Sequence, residues 1–160
     1  MTRVLAFDPG LARVGFAAID KNNDSYSLFE CGLIETKPSL SVPERLFLIH
    51  KQALELAQRF KPDFIAVEEL FFSKNTKTAI DVAQARGALL IVGHHTGLKV
   101  VEFTPAQVKQ AVTSYGAADK HQVGEMVKLL LGLDYVPKPD DVADACAVGL
   151  CGLFTTTCYY

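Results

Sequence analysis

The chain has 160 residues, of which 49% are hydrophobic, so it carries enough apolar material for the core of one domain spanning residues 1–160. No apolar run reaches membrane-spanning length, and Met1-Thr2-Arg3 leads directly into a predicted strand, which favours a cytoplasmic protein. The net charge of −2 argues against a generally basic nucleic-acid-binding protein. Residues 74–128 nevertheless carry seven basic and four acidic side chains, which permits a local phosphate-binding patch.

The four cysteines form neither a CxxC motif nor any other metal-ligand spacing. We interpret them as small buried hydrophobic residues of a protein in a reducing compartment. They are Cys31, Cys146, Cys151 and Cys158.

The N-terminal part of the chain predicts three antiparallel strands. Val4 to Phe7 is a branched, apolar strand that stops at Asp8-Pro9-Gly10, where proline and glycine favour a turn. Residues 13–19 and 25–35 predict two further strands joined by short turns, which together form a meander. Asp8 is either a turn-forming residue or a functional carboxylate, and the turn motif alone leaves both interpretations open.

A helix and a fourth strand follow the meander. Ser41 and Glu44 form an S-x-x-E capping box, and apolar residues then recur at helical spacing. Residues 64–67 are a short branched run that predicts a strand buried on both faces, so the sheet is mixed. Glu68 follows directly, and a carboxylate buried there without a partner costs several kcal/mol. It therefore requires a cation, a metal or water.

A long second helix is predicted from Asn75, which caps it, to about Gly93. Ala79, Ala83 and Gly87 fall four residues apart on this helix, which allows another helix to approach closely. This face either packs on the domain's own sheet or contacts a second subunit.

The next part of the chain predicts a fifth strand and two shorter helices. His94 and His95 end the second helix, and they do not predict a metal site because adjacent helical residues point in different directions. The strand covers residues 99–103, and Thr104 opens a helix with a second capping box that closes near residue 115. A fourth helix is predicted over residues 119–131.

Three aspartates lie at the start of the last predicted helix. Asp141 and Asp144 are three residues apart and therefore share one face. Aspartates in a first helical turn usually cap free N–H groups and suit the helix dipole, which is sufficient to explain Asp140. Asp144 lies one turn into a helix that is apolar all round, so we expect a cation opposite it.

The acidic residues at these element ends predict a chemistry. If the first and fourth strands are parallel neighbours, Asp8 and Glu68 are adjacent at one sheet edge. Their carboxylates and those of Asp141 and Asp144 would repel unless divalent cations neutralise them, and oxygen ligands select Mg²⁺ or Mn²⁺. Two such ions roughly 3.5–4 Å apart activate a water and stabilise the leaving oxygen of a phosphodiester. Metal-assisted phosphodiester hydrolysis is therefore the predicted reaction.

Several motifs resemble those of the RuvC family, the bacterial crossover (Holliday) junction endodeoxyribonucleases, in the family's order over nearly the whole chain. The matching segments are Asp8-Pro9-Gly10, Ala66-Val67-Glu68 with Phe71 and Lys74-Asn75, Gln84-Ala85-Arg86-Gly87, Gln107-Val108-Lys109-Gln110, and Asp141-Val142-Ala143-Asp144-Ala145.

This resemblance implies an α/β, RNase H-like fold with a mixed five-stranded sheet flanked by helices on both faces. It implies a Holliday junction resolvase that makes symmetric paired nicks in four-way junction DNA during recombination and DNA repair. The expected assembly is a homodimer with one or two Mg²⁺ ions per subunit, for which Mn²⁺ substitutes. The branch-migration proteins RuvA and RuvB are the expected partners, and Asp8, Glu68, Asp141 and Asp144 match the family's catalytic, metal-binding acids.

The resemblance also implies a set of DNA contacts. Phe71 matches an aromatic residue implicated at the junction centre, and Lys109 and Lys120 match basic residues near the scissile DNA. The expected contacts are Phe71, Phe72, Lys74, Asn75, Lys77, Arg86, Lys109 and Lys120.

Other functions remain open on the sequence. A related RNase H-like nuclease of the YqgF group would act on RNA, and a catalytically silent module would bind junctions without cleaving them. An actin-like ATP-binding protein also begins with strands and an acidic turn, but it normally needs two such domains. The segment after Gly10 lacks the hydroxyl residues often found in the RuvC family, which leaves the sequence preference of cleavage undetermined.

Overall fold

The computed structural model describes residues 1–69 and 76–156, and it describes their side chains except at residues 76–78 and 156. In chain order the elements are β1 (Thr2–Asp8), β2 (Arg13–Asn22), β3 (Ser25–Glu35), α1 (Val42–Phe60), β4 (Phe64–Glu68), α2 (Thr76–Thr96), β5 (Lys99–Phe103), α3 (Pro105–Thr113), α4 (Lys120–Leu130) and α5 (Asp140–Thr156).

The strands form one mixed sheet in the order β3-β2-β1-β4-β5. β1, β2 and β3 pair antiparallel, which confirms the predicted meander, whereas β4 pairs parallel with both β1 and β5. The parallel pairing of β1 with β4 brings the carboxyl ends of these two central strands to the same edge of the sheet.

Helices cover both faces of the sheet, as predicted. Side chains alternate along a strand, so Leu5 and Phe7 of β1 pack into one core with α1 and α2, and Val4 and Ala6 pack into another with α3, α4 and α5. The buried residues of α5 include Cys146 and extend around the helix, because it lies between the sheet and the two shorter helices. This position holds α5 firmly against β1 and β2.

The capping predictions are confirmed where the structure describes them. The backbone N–H of Ser41 donates to Glu44 at 2.8 Å, and that of Thr104 donates to Gln107 at 2.9 Å. α3 ends at Thr113, slightly earlier than predicted, because Ser114 adopts a left-handed conformation with φ 60°.

The predicted end of α2 is confirmed to within a few residues, since His94 and His95 lie in its last turn and the helix continues to Thr96. Gly93 is a packing position, where an added Cβ would lie 2.1 Å from the side chain of Val100. The helix ends instead before Gly97, whose φ of 70° is the left-handed conformation that favours glycine after a helix. The predicted cap, Asn75, lies outside the described residues.

The predicted small-residue face of α2 divides between the core and the surface. Ala79 is buried, whereas Ala83 is exposed and a Cβ added at Gly87 would contact nothing within 4 Å. Ile80 and Ile91 lie on the same outer side, with 61% and 52% of their surface exposed.

The predicted burial of the cysteines is confirmed for Cys146 and Cys151, while Cys31 is half-buried and Cys158 lies outside the described residues. Within residues 1–69 and 76–156, none of the helices combines the length and apolar character needed to cross a membrane.

Candidate active site

Asp8 and Glu68 lie side by side at the edge of the sheet. Val4 to Phe7 of β1 pair in parallel register with Phe64 to Val67 of β4, so the residues that follow them, Asp8 and Glu68, end neighbouring strands. The two carboxyl groups are near enough for each to shift the pKa of the other. The sequence expectation that they meet at one sheet edge is therefore confirmed.

This pair is hard to ionise completely. Burial, followed by the charges of Glu68, Asp144 and Asp141, raises the pKa of Asp8 from 3.8 to about 8. Burial and the charge of Asp144 likewise raise the pKa of Glu68 from 4.5 to about 7. Two neighbouring buried carboxyl groups retain one proton between them until a cation replaces it. The pair is thus an acidic site that favours a bound cation at neutral pH.

The first turns of α5 bring Asp141 and Asp144 to the same edge. α5 approaches β2 so closely that a Cβ added at Gly15 would lie 1.9 Å from the carbonyl oxygen of Asp141. Gly15 is also the cross-strand partner of Asp8. Glycine is therefore required where α5 meets β2. Because Gly15 has no side chain, Asp141 can approach Asp8 closely.

Asp141 and Asp144 of α5 are each partnered by a cation from another element. Nζ of Lys120 on α4 lies 3.0 Å from Oδ2 of Asp144, and Nε of Arg13 on β2 lies 3.7 Å from Oδ2 of Asp141. The contact with Asp144 raises the pKa of Lys120. The expectation that a cation lies opposite Asp144 is confirmed, and the cation is a lysine from a neighbouring helix.

Asp140 is paired differently from Asp141 and Asp144. Its carboxylate lies 3.1 Å from Nζ of Lys138, and that ion pair lowers the pKa of Asp140. The charge of Asp141, in contrast, raises the pKa of Asp8. The geometry therefore groups Asp141, and not Asp140, with the residues at the sheet edge.

The donor chemistry of this edge suits a hard divalent cation, because it consists of carboxylate oxygens partly shielded from water. Among the described residues, no three His, Cys, Asp or Glu side chains surround a common point at metal-binding distance. Lys120 and Arg13 instead partner the carboxylates of Asp144 and Asp141.

Comparison with known proteins identifies the family. The family described as "Crossover junction endodeoxyribonuclease RuvC" matches residues 4–152. The chain belongs to the RuvC family. A relative of that name from Halothermothrix orenii is 51% identical over 148 residues, covering 92% of this chain and 90% of the relative. Another from Caldicellulosiruptor saccharolyticus is 46% identical over 156 residues, covering 97% and 94%.

Solved RuvC structures share the fold. Thermus thermophilus RuvC superposes with a TM-score of 0.90 at 34% identity, covering 98% of this chain and 96% of that one. The structure described as T. thermophilus RuvC in complex with Holliday junction substrate superposes with a TM-score of 0.92 at 35% identity, covering 98% and 95%. The predicted RNase H-like α/β fold is confirmed by this similarity together with the mixed sheet.

The predicted DNA contacts of the RuvC-like site are only partly described. Phe71, Phe72, Lys74 and Asn75 lie outside the described residues, and Lys77 lies in the first turn of α2 without a described side chain.

The basic residues that are described differ in their surroundings. Lys120 is largely exposed beside Asp144, and the charge of Lys109 lowers the pKa of Glu68, which places both near the acids. Arg86 instead forms an ion pair with Glu102 of β5, and its buried Nε has no hydrogen-bond partner among the described residues.

The sequence analysis missed the contribution of Arg13. The only sequence feature of Arg13 is its position at the start of the second predicted strand, five residues after Asp8. The hairpin of β1 and β2 returns this residue to the sheet edge, where its guanidinium group faces Asp141.

A groove of about 410 Å³ beside the acids was also missed. It lies between α4, the segment that precedes α5 and the first turns of α5. Its lining includes Lys120, His121, Val136, Lys138 and Asp144.

Proposed function

We propose that this chain is a Holliday junction resolvase, a nuclease that makes symmetric paired nicks in four-way DNA junctions during recombination and repair. Membership of the RuvC family supports this function, and a structurally similar relative is described in complex with Holliday junction substrate. The observation on this chain that carries the proposal is the carboxyl pair of Asp8 and Glu68, joined by Asp144 at the carboxyl edge of the sheet.

The proposed catalytic residues are Asp8, Glu68, Asp141 and Asp144, which would hold one or two Mg²⁺ ions per subunit, with Mn²⁺ as a substitute. When bound, such ions activate a water and stabilise the leaving oxygen of the phosphodiester. The raised pKa values of Asp8 and Glu68 support this assignment, because a cation would relieve the repulsion that raises them.

The chain's own residues supply position and charge. Asp8 and Glu68 are held by the paired strands, and Asp144 is held by a buried helix, so these three ligands lie on rigid elements. Lys109 and Lys120 would bind phosphate oxygens near the cleaved bond and reduce repulsion between the acids and DNA. Arg13 would do the same on the opposite side, beside Asp141.

The residues between β4 and α2 would select the junction. Phe71 would stack on a base at the junction centre, where bases unstack most easily. Lys74 and Asn75 would contact the adjacent DNA backbone. Phe72, Lys77 and Arg86 complete the proposed DNA contacts. For Arg86 this requires release from Glu102, its partner in the structure.

The proposed enzyme is a homodimer, because two symmetric nicks require two sites. The exposed apolar stripe of α2 supports this assembly: Ile80 and Ile91 are more than half exposed, and Gly87 between them leaves room for a partner helix. Association with RuvA and RuvB is proposed from family membership.

A synthetic four-way junction with a homologous, mobile core tests the proposal. With Mg²⁺, we expect paired nicks at symmetric positions in two strands of like polarity. Linear duplex DNA of the same sequence and an RNA version of the junction serve as controls, and both should remain largely intact. Preferential cleavage of RNA would indicate a YqgF-like nuclease, and tight junction binding without cleavage in either metal would indicate a silent module.

A further inference from the structure

His50 of α1 and His95 of α2 form a contact between the two helices that cover one face of the sheet. Nε2 of His50 lies 3.0 Å from Nδ1 of His95. The ring centroids are 5.0 Å apart, and the ring planes meet at 65°. Neither residue belongs to the acidic site, whose helix, α5, packs on the opposite face of the sheet.

The backbone fixes the tautomer and orientation of His50. Its Nδ1 lies 3.0 Å from the carbonyl oxygen of Ala88. A carbonyl oxygen only accepts, so Nδ1–H of His50 donates, and the neutral ring carries its lone pair on Nε2, directed at His95. Histidines that bind metals in proteins are commonly held in this way by a backbone carbonyl on the other ring nitrogen.

We propose that His50 and His95 bind a first-row transition-metal ion of the Ni²⁺, Cu²⁺ or Zn²⁺ class through Nε2 of His50 and Nδ1 of His95. Imidazole nitrogen is a preferred ligand of these ions. His95 is exposed, and its ring supplies a lone pair on Nδ1 when the tautomer carries the proton on Nε2.

The spacing of the two nitrogens fits this class of ion. With metal–nitrogen bonds of about 2.0–2.1 Å, a separation of 3.0 Å subtends roughly 95° at the metal. That angle is close to the right angle between neighbouring ligands in octahedral and square-planar complexes. Because the lone pair of His50 points at Nδ1 of His95, the exposed His95 ring must swing aside to admit the ion and then present Nδ1 at that angle. Among the described residues no third His, Cys, Asp or Glu side chain completes the cluster, so water fills the remaining positions.

This site differs in selectivity from the acidic edge. Mg²⁺ prefers oxygen ligands and keeps several of its waters, so it does not compete for two imidazoles. A transition-metal ion at His50 and His95 would join α1 to α2 and stabilise the folded state, because both ligands are brought together only by folding.

Thermal melting of the tag-free protein in Ni²⁺, with millimolar Mg²⁺ present throughout to occupy the acidic edge, tests the proposal. We expect Ni²⁺ at about a hundred times its Kd to raise the melting temperature of the wild-type protein by about 4 °C or more. The variants His50→Gln and His95→Gln should lose this rise. Calorimetric titration should show one Ni²⁺ fewer bound in each variant than in the wild type.

The other two histidines of the chain provide matched controls. His94→Gln removes an exposed imidazole next to the pair, and His121→Gln removes one beside the acidic groove. Both should keep the Ni²⁺-induced rise. An unchanged rise in His95→Gln, or no rise in the wild type, overturns the proposal. Because His95 is exposed, its variant should melt like the wild type in EDTA, so it decides the question even if His50→Gln folds poorly.

Discussion

The ammonium group of Lys120 lies 3.0 Å from a carboxylate oxygen of Asp144, and the two residues come from different helices, α4 and α5. Lys120 is 71% exposed at its side chain, so the group that partners the acid also faces solvent. Lys120 is therefore placed to act on both the acidic site and a phosphate.

Replacing Lys120 with Ala should lower the cleavage rate by about 100-fold, the usual cost of removing one transition-state charge donor. If Lys120 serves only as a phosphate contact, junction binding should instead weaken and become less dependent on salt. Single-turnover cleavage and binding at several salt concentrations separate the two roles. Lys128→Ala removes the same charge from the last turn of the same helix and should change neither quantity.

Asp8→Asn, Glu68→Gln and Asp144→Asn should each lower cleavage by at least about 10³-fold while junction binding survives. Each substitution removes a proposed metal ligand, whose contribution is several kcal/mol, but leaves the phosphate-binding cations in place. Cleavage and gel-shift measurements on one junction preparation distinguish the two effects. Near-wild-type turnover in any variant would remove that residue from the proposed site.

The metal-free protein should lose stability as the pH rises from about 5 to 8. The folded-state pKa values of Asp8 and Glu68, about 8 and about 7, exceed their ordinary values of 3.8 and 4.5. The folded state therefore binds more protons than the unfolded state between these limits, and this stabilising contribution disappears as the pH passes through 7 to 8. Melting temperatures in EDTA across this range provide the measurement.

Two further samples control that pH experiment. The double variant Asp8→Asn, Glu68→Gln should show a flatter dependence and melt roughly 3 °C higher than the wild type at pH 8, because its amides cannot ionise. Millimolar Mg²⁺ should flatten the wild-type curve in the same way. If the double variant loses stability with pH as steeply as the wild type, the pH dependence belongs to other groups.

Asp140→Asn and Asp141→Asn form a matched pair that tests which of the two aspartates belongs to the acidic site. We expect Asp141→Asn to lose most cleavage and Asp140→Asn to remain active, because Asp140 is paired with Lys138, whereas the charge of Asp141 acts on Asp8. Rates on the same junction under saturating Mg²⁺ provide the comparison. The opposite outcome, a dead Asp140 variant with an active Asp141 variant, would show that the wrong aspartate has been assigned.

Phe71→Ala should fold normally and remain dimeric but lose junction cleavage, since stacking on an unpaired base contributes about 1–3 kcal/mol. Melting temperature and size-exclusion chromatography establish the fold and the assembly, and cleavage of the mobile junction establishes the function. A large fall in melting temperature would instead identify Phe71 as a core residue, and full cleavage by a folded dimer would exclude the stacking role.

Ile91→Asp should convert the proposed dimer to a monomer, because it introduces a charge into the exposed apolar stripe of α2. Leu129→Asp places the same charge at another exposed apolar position, on α4, where 72% of the leucine is exposed, and should leave the dimer intact. Sedimentation measures both. A monomeric Leu129→Asp variant with a dimeric Ile91→Asp variant would move the interface to α4.

Several features followed from the sequence because neighbouring residues determine them. The branched run before Glu68 and the capping boxes at Ser41 and Thr104 depend on local backbone preferences and on contacts a few residues apart, and the structure agrees with each. The expected cation opposite Asp144 also followed from local information, since a half-buried carboxylate needs a partner whatever the fold.

Local patterns were insufficient where packing determines the outcome. Gly93 has the character of a helix end, yet α2 continues past it to Thr96, and glycine is required there because Val100 leaves no room for a side chain. Ala79 and Gly87 share a spacing pattern, but only the position of the helix on the sheet decides that Ala79 is buried and the Gly87 position open.

The sequence by itself determined the order of the strands and helices, the capped starts of α1 and α3 and the carboxylates that end the strands, because these follow from contacts within a few residues. Only the tertiary structure decided which distant side chains meet: Arg13 with Asp141, Lys120 with Asp144, and His50 with His95. These pairs depend on how a hairpin returns and on how helices pack across the sheet. Such distances arise from the whole core and are not encoded in the spacing of any one segment.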